Sequence, residues 1–254
     1  MFAKEIPAVL GKIQGNISVW LEDCESHQTF TLNPDSEHIA ASVIKLGVLL
    51  AAFERFESGA LDPNALYHTK ASDKVPSCGA ITYLHDGLEV TYLDLVTLMI
   101  ILSDNTATNI MIDALGIENI NAVLDNCGLS GIRLRRKMFD AEASARGLQN
   151  TVTARDVASF FRLLYEGKLV SSAASQKMLG ILLNQRLNGK IPFYLHEQGI
   201  EVAHKTGEDD GTTHDAGIIY AERPIIAIFL GNDTDVPAFE RAIQDVSRLI
   251  ALSM

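Results

Sequence analysis

A serine and a lysine three residues apart are the pair in this chain best suited to covalent chemistry. Ser42 and Lys45 stand at the head of the apolar run 46–53. On a helix, residues three apart share a face, so the hydroxyl of Ser42 and the amine of Lys45 would project together. A hydroxyl becomes a nucleophile when a neighbouring base takes its proton, and a desolvated lysine can be that base. The same spacing arises by chance about once in a chain of this length, so it needs support elsewhere.

Two more short polar motifs follow along the chain. Residues 103–105 read Ser-Asp-Asn and come directly after 93–101, a helix that we expect to be buried because it is apolar nearly all round. Residues 205–207 read Lys-Thr-Gly and lie on a predicted strand, where they could form one wall of a cleft. Each motif is weak alone, but the three together, in this order and at these separations, are a strong signal.

This trio of motifs is typical of class A β-lactamases and penicillin-binding proteins. The chain resembles the class A β-lactamase and serine DD-peptidase superfamily nearly from end to end. The stretch 103–109 looks like the extended form of the family's second motif, and Asp86-Gly87 matches the residues before the buried helix. The segments 204–207 and 214–217 are similar to a branch of the family often called simply serine hydrolases.

The resemblance implies a role for each residue that takes part in acylation. Ser42 would attack an amide carbonyl and become acylated, and Lys45, if neutral, would take its proton. Burial and a second nearby cation both lower the pKa of a lysine, which favours the neutral form. Ser103 would relay a proton to the leaving nitrogen. Asn105 would hydrogen-bond both Lys45 and the substrate amide.

The resemblance also implies a set of substrate-binding groups on the third motif. Lys205 and Thr206 would hold the substrate carboxylate, since a buried anion needs a partnered cation and a hydroxyl donor. Gly207 would leave space for substrate beside the strand. The backbone N–H groups of Ser42 and of Glu208 would form the oxyanion hole.

One stretch of the chain departs from the family pattern. The long loop before 151–154 resembles the family's omega loop, which in class A β-lactamases carries a glutamate that activates the deacylating water. Arg136 fits the arginine two residues before that glutamate, and Asn150 fits the far end of the loop, where an acidic residue often pairs with the arginine. Met138 then takes the place of the glutamate, and a thioether cannot accept a proton. Asp140 and Glu142 are the nearest carboxylates and remain possible deacylation bases.

The order of predicted elements indicates an α+β fold of the β-lactamase/transpeptidase type. Strands from both ends of the chain are expected to form one antiparallel sheet flanked by the terminal helices, with an all-helical middle. We predict a single domain over 1–254, with an α/β subdomain at 1–40 and 200–254 and a helical subdomain at about 41–199. The terminal elements are predicted at 4–13 (helix), 16–21, 28–32, 201–206, 215–221 and 225–230 (strands) and 235–254 (helix).

The composition of the chain argues against several classes of binding partner. The net charge of −11 argues against nucleic acid and against an anionic membrane surface. Three cysteines without a Cys-x-x-Cys pair do not form a zinc motif, and His204 and His214 have no third ligand at zinc spacing, so we expect neither a metal nor a cofactor. We expect a monomer without a membrane segment. The sequence as it stands shows no export signal and predicts a cytoplasmic protein, or a secreted or periplasmic one if its N-terminus was trimmed.

These observations favour a serine hydrolase that forms an acyl-enzyme on Ser42 and acts on β-lactam amides, slowly if nothing replaces the missing glutamate. The first alternative is a DD-peptidase or another serine amidase that acts on D-Ala-D-Ala-like peptides. The second is a penicillin-binding sensor that becomes acylated without turnover. Fold-level kinship does not decide among the three.

Overall fold

The computed structural model of the chain describes residues 5–76 and 78–252. Helices occupy the middle of the chain and both of its ends. They are α1 Ile6–Leu10, α2 Lys45–Glu57, α3 Tyr92–Ile101, α4 Asn105–Leu115, α5 Ile117–Asn126, α6 Ala141–Ala145, α7 Ala154–Tyr165, α8 Ser172–Leu183 and α9 Val236–Leu252. The strands are β1 Asn16–Asp23, β2 Thr29–Leu32, β3 His38–Ile39, β4 Leu66–His68, β5 Glu89–Thr91, β6 Thr151–Val152, β7 Val202–Asp209, β8 Thr212–Tyr220 and β9 Pro224–Asn232.

The principal sheet joins the two ends of the chain. Its five strands run in the order β2-β1-β9-β8-β7, and every neighbouring pair is antiparallel. The central contact pairs β1 with β9, and Trp20 lies opposite Ile228 in that register. The predicted α+β fold, with an antiparallel sheet from both chain ends and an all-helical portion, is therefore confirmed.

The inner strands β1, β8 and β9 are buried on both faces, so buried and exposed residues do not alternate along them. On β9, Ile226 and Ile228 belong to a core shared with α2, α3, α4 and α7. Ile225 and Phe229 point to the opposite face and pack in a second core with Phe239 of α9. The sheet is thus fixed between two cores, and its edge strand β7 is held against the helical part of the molecule.

Several short elements differ from the prediction. The first helix covers Ile6–Leu10 rather than 4–13, and residue 4 of that prediction lies outside the described residues, as do 253–254 of the last helix. The short strands β4 and β5, which were not predicted, pair with each other. The short strands β3 and β6 also pair, although their partners are more than a hundred residues apart in sequence. Long-range pairing of such short strands leaves no local pattern to read.

None of the helices in the described ranges is long and apolar enough to cross a membrane. The division of the domain at about residues 41 and 199 stays a prediction.

Candidate active site

A tight turn positions Ser42. Residues Ala41–Ile44 form one turn of 3-10 helix, and α2 begins only at Lys45. Ser42 therefore lies inside the turn and does not cap α2, although serine is a common helix cap. The buried side chains of Val43 and Ile44 anchor the turn in the core. Residues three apart eclipse each other in a 3-10 helix, which brings Lys45 Nζ to 3.0 Å from Ser42 Oγ.

Lys45 is fully buried and lies at the centre of a hydrogen-bond network. Its Nζ contacts the carbonyl oxygen of Ser103 at 2.7 Å, Ser103 Oγ at 2.9 Å and Asn105 Oδ1 at 2.8 Å. Burial, and then the charge of Lys205, lower the pKa of Lys45 well below its usual range. A neutral amine has two N–H donors and one lone pair. It can donate to the two carbonyl oxygens and still accept the proton of Ser42.

The turn after α3 places Ser103 between two lysines. Ser103 has a positive φ of 53°, a conformation that costs a non-glycine residue about 1–3 kcal/mol. The neighbouring Asp104 holds this turn, because its carboxylate caps α4 through the N–H of Ala107 at 2.9 Å and also accepts from the N–H of Ala80 at 2.7 Å. As a result Ser103 Oγ lies 2.9 Å from Lys45 Nζ and 3.0 Å from Lys205 Nζ.

Lys205 is buried on β7 beside Ser103. Its Nζ donates to Ser103 Oγ and, at 2.8 Å, to the carbonyl oxygen of Thr206. Burial lowers the pKa of Lys205 to about 7; the charge of Asp215 opposes this shift, and that of Lys190 adds to it. The lysine can therefore gain or lose its charge near neutral pH, so its hold on an anionic group depends on pH.

Gly207 has a neighbour that we did not predict. We expected its missing side chain to leave space for substrate. That role stays a prediction, and the structure adds a second reason for glycine: a Cβ at this position would lie 3.1 Å from Val43 Cγ2 and 3.3 Å from the carbonyl oxygen of Ala40, both in or next to the turn that carries Ser42. Gly207 therefore lets β7 pack closely against that turn, and this contact sets the distance between the first and third motifs.

A cavity of about 490 Å³ opens beside this network. Ser42, Asn105 and Glu208 line it, and so do Met138 and Asp140 of the long loop. The other predicted groups, Lys45, Ser103, Lys205 and Thr206, are buried next to it. The structure thus brings the three sequence motifs together at one wall of the cavity and the long loop to another.

A family model and known relatives match this chain over most of its length. The model of the Beta-lactamase enzyme family matches residues 1–253. The chain belongs to this family. The β-lactamases CARB-3 and PSE-4 of Pseudomonas aeruginosa are each 22% identical to it over 233 residues, which make up 89% of this chain and 81% of theirs.

Solved structures of β-lactamases and of a protein named PBP-A share the fold. A β-lactamase from Sphaerobacter thermophilus is 31% identical, with a TM-score of 0.90 over 98% of this chain and 94% of that one. The structure of PBP-A is 24% identical, with a TM-score of 0.88 over the same shares of the two chains. The similarity covers nearly the whole length, and it therefore includes the loop that resembles the omega loop.

Two asparagine side chains hold this loop in place through hydrogen bonds to its backbone. The side chain of Asn109 clamps Met138: it donates to the carbonyl oxygen of Met138 at 3.0 Å and accepts from its N–H at 2.8 Å. Asn150 does the same for Arg136, accepting from its N–H and donating to its carbonyl oxygen, both at 3.0 Å. The guanidinium of Arg136 donates to Gln149 Oε1 at 2.9 Å.

The two carboxylates nearest to Met138 have different surroundings. Asp140 lines the cavity, but its Oδ1 accepts from the N–H of Ala143 at 2.9 Å and so caps α6. Glu142 lies in the first turn of α6 and is exposed. It is not among the described residues that line the cavity. The predicted loop 133–150 therefore contains a short helix, and this helix engages one of the two candidate bases.

Sequence reasoning missed two contributors to the site. Asn109 stood within the second motif's extended form, but its role depends on contact with Met138, 29 residues further along the chain. Lys190 lies in a segment whose apolar residues show no clear periodicity. Its ammonium is nevertheless buried and lies 2.6 Å from Glu208 Oε1. A loop lysine is usually exposed, so residue type and spacing gave no signal for it.

Proposed function

We propose that this protein is a serine hydrolase that a β-lactam acylates at Ser42 and that releases the acyl group slowly. The observation that carries the proposal is the continuous contact from Ser42 Oγ through Lys45 Nζ and Ser103 Oγ to Lys205 Nζ, with each step at 2.9–3.0 Å. Ser42 lines a cavity that is large enough for a small bicyclic amide.

Acylation needs a base, an oxyanion hole and a proton donor, and the site has a candidate for each. Neutral Lys45 takes the proton of Ser42, and Ser42 Oγ forms a bond to the carbonyl carbon. The backbone N–H groups of Ser42 and Glu208 stabilise the oxyanion. When the carbon–nitrogen bond breaks, Ser103 gives its proton to the leaving nitrogen and takes one back from the ammonium of Lys45.

Substrate is held by groups on both sides of the nucleophile. Protonated Lys205 and the hydroxyl of Thr206 bind a carboxylate next to the scissile amide. Asn105 accepts from Lys45 and lines the cavity, so its side chain can also bind the amide of the substrate's acyl part.

Deacylation needs a base beside the acyl bond, and the omega loop offers none in a suitable position. Met138 cannot accept a proton, Asp140 caps α6, and Glu142 is exposed. The acyl-enzyme should therefore persist. A structure of a single-residue mutant of PBP-A is an acyl-enzyme complex with penicillin G, and it shares this fold with a TM-score of 0.87.

The same lack of a positioned base in the omega loop fits a second candidate, a DD-peptidase or a penicillin-binding sensor that is acylated without turnover. An enzyme whose physiological acceptor is not water does not need a water-activating base in the omega loop. D-Ala-D-Ala-like peptides carry the same arrangement of an amide next to a carboxylate. Steady hydrolysis of a β-lactam, of such a peptide, or of neither separates these functions. A monomeric state and the compartment stay predictions from the sequence.

Intact-mass spectrometry with penicillin G tests the proposal. We expect the mass of the whole protein to rise by that of one penicillin, and we expect no adduct on Ser42→Ala. Ser144→Ala is the matched control, because Ser144 lines the same cavity without contacting the lysines in the hydrogen bonds described above. An adduct on Ser42→Ala, or a wild type that neither binds nor hydrolyses penicillin G, would contradict the proposal.

A further inference from the structure

The ammonium of Lys190 is buried next to the substrate site, although nothing in the proposed mechanism uses it. Its side chain is only 3% exposed, and its Nζ lies 2.6 Å from Glu208 Oε1 and 3.7 Å from Glu240 Oε1. A buried ammonium is costly unless it is paired, so Glu208 and Glu240 supply its counter-charge. Glu208 is the partner that also lines the cavity.

The backbone on both sides of Lys190 is fixed to the sheet and to α9. The N–H of Ile191 donates to Asp215 Oδ2 at 3.0 Å. The carbonyl oxygen of Gly189 accepts from Gln244 of α9 at 2.8 Å. Lys190 is therefore held in place by its neighbours and does not depend on Glu208 for its position.

Glu208 extends the row of substrate-binding side chains on β7. Residues two apart on a strand point to the same face, so the carboxylate of Glu208 lies on the same side as the hydroxyl of Thr206. Its side chain is 59% exposed, whereas that of Lys190 is buried. The charge of Lys190 also lowers the pKa of Lys205. Glu208 is thus an anion at the end of the cavity where the substrate carboxylate is expected.

We propose that Glu208 is a specificity-determining residue whose carboxylate competes with the substrate carboxylate for the buried ammonium of Lys190. The inference rests on the proposed function, because it needs a substrate that carries a carboxylate next to Thr206. In the free protein Glu208 neutralises Lys190, and an anionic substrate meets a like charge there. A substrate without this carboxylate meets no such repulsion.

Paired substrates isolate this effect from the chemistry of acylation. Penicillin G and its methyl ester have the same scissile amide, and only penicillin G carries the free carboxylate. We define the selectivity ratio as the second-order acylation rate constant for penicillin G divided by that for the ester. Glu208→Gln should raise this ratio about three- to tenfold, because the repulsion ends and Lys190 becomes available. Lys190→Gln should lower it by a similar factor.

Asp209→Asn is the matched control, since Asp209 lines the same cavity and its loss removes the same charge. This variant should keep the selectivity ratio within about twofold, because a more distant exposed charge is screened. In the Lys190→Gln background, Glu208→Gln should give a smaller gain in this ratio, because it ends the repulsion but frees no ammonium.

Equal ratios in the wild type and Glu208→Gln would overturn the inference, and so would an Asp209→Asn effect as large as that of Glu208→Gln. A Glu208→Gln gain that is as large without Lys190 as with it would also overturn the inference. If Lys190→Gln does not fold, the comparison of Glu208→Gln with Asp209→Asn still decides. A wild type that neither substrate acylates would instead contradict the proposed function.

Discussion

Two walls of the same cavity differ in whether their side chains are positioned for a reaction. On one wall the side chains of Lys45, Ser103 and Lys205 are buried. Ser103 Oγ is hydrogen-bonded to both lysines, and Lys45 Nζ also contacts Ser42 Oγ. On the other wall the omega loop presents Met138, and Asp140 is engaged by a helix N-terminus. In our proposal the first wall forms the acyl bond, whereas the second has no positioned base to break it.

The difference follows from what holds each wall. The lysines and Ser103 lie on or next to α2, α3 and β7, which pack in the main core. Such elements fix side chains in one position. The omega loop is held mainly through its backbone, by Asn109 and Asn150. Its shape can therefore persist while its side chains vary, and the second half of the reaction can be lost without loss of the first.

Substitution of the buried Lys45 is expected to have the largest effect on acylation. Lys45→Met removes the base that activates Ser42, so the acylation rate constant for penicillin G should fall by about 10²- to 10⁴-fold. Quenched intact-mass time courses measure this rate. Lys168→Met is the control, because Lys168 pairs with Glu166 at the surface and should change the rate less than about twofold. Acylation of Lys45→Met at the wild-type rate would assign the base to another group.

The opposite wall should respond to the addition of a base. Met138→Glu places a carboxylate on a backbone that Asn109 already holds, so deacylation should speed up by about 10²-fold or more. Met138→Gln has nearly the same shape without a base and should leave the release rate close to that of the wild type. The decay of the isolated acyl-enzyme, followed by mass, measures both. Equal release from the two variants would show that this position does not face the acyl bond.

The charge of Lys205 should make the first wall sensitive to pH. The pKa of Lys205 is about 7, so the ammonium that holds a carboxylate is present below pH 7 and is lost as the pH rises. The second-order rate constant for penicillin G should therefore fall about tenfold per pH unit above this pKa, while that for the methyl ester should not. In Lys205→Arg the guanidinium stays charged, and the falling limb should disappear. Identical limbs for both substrates would assign the titration to another group.

The smallest effect is expected at the two other carboxylates of the loop. Asp140→Asn keeps a good N-cap for α6, and Glu142→Gln changes an exposed side chain. Both variants should release the acyl group within about twofold of the wild-type rate. Release that is tenfold slower in either one would identify it as the substitute base and would remove the contrast between the two walls.

The residues that act through local spacing could be predicted from the sequence. Ser42 and Lys45 needed only a three-residue separation, and the contact forms even though the turn is a 3-10 helix rather than the start of α2. The apolar strands at the two chain ends likewise indicated the sheet. These features depend on short segments whose periodicity is visible in the sequence.

Contacts between distant segments could not be predicted. The clamp of Asn109 on Met138, the pairing of β3 with β6 and the ion pair of Lys190 with Glu208 all depend on how separate loops pack. Gly207 shows the same limit: the sequence suggested space for substrate, but only the fold shows its close approach to the Ser42 turn. The sequence therefore predicted the contacts of the first wall better than those of the second.

Pre-steady-state kinetics with a chromogenic cephalosporin test the contrast between the two walls most directly. The wild type should show a burst of product equal to about one equivalent of enzyme, followed by a much slower steady rate, because acylation is fast and release is slow. Intact mass at the end of the burst should show the acyl adduct. Rapid linear turnover without a burst or an adduct would contradict the account, since it would show that the omega loop already activates water.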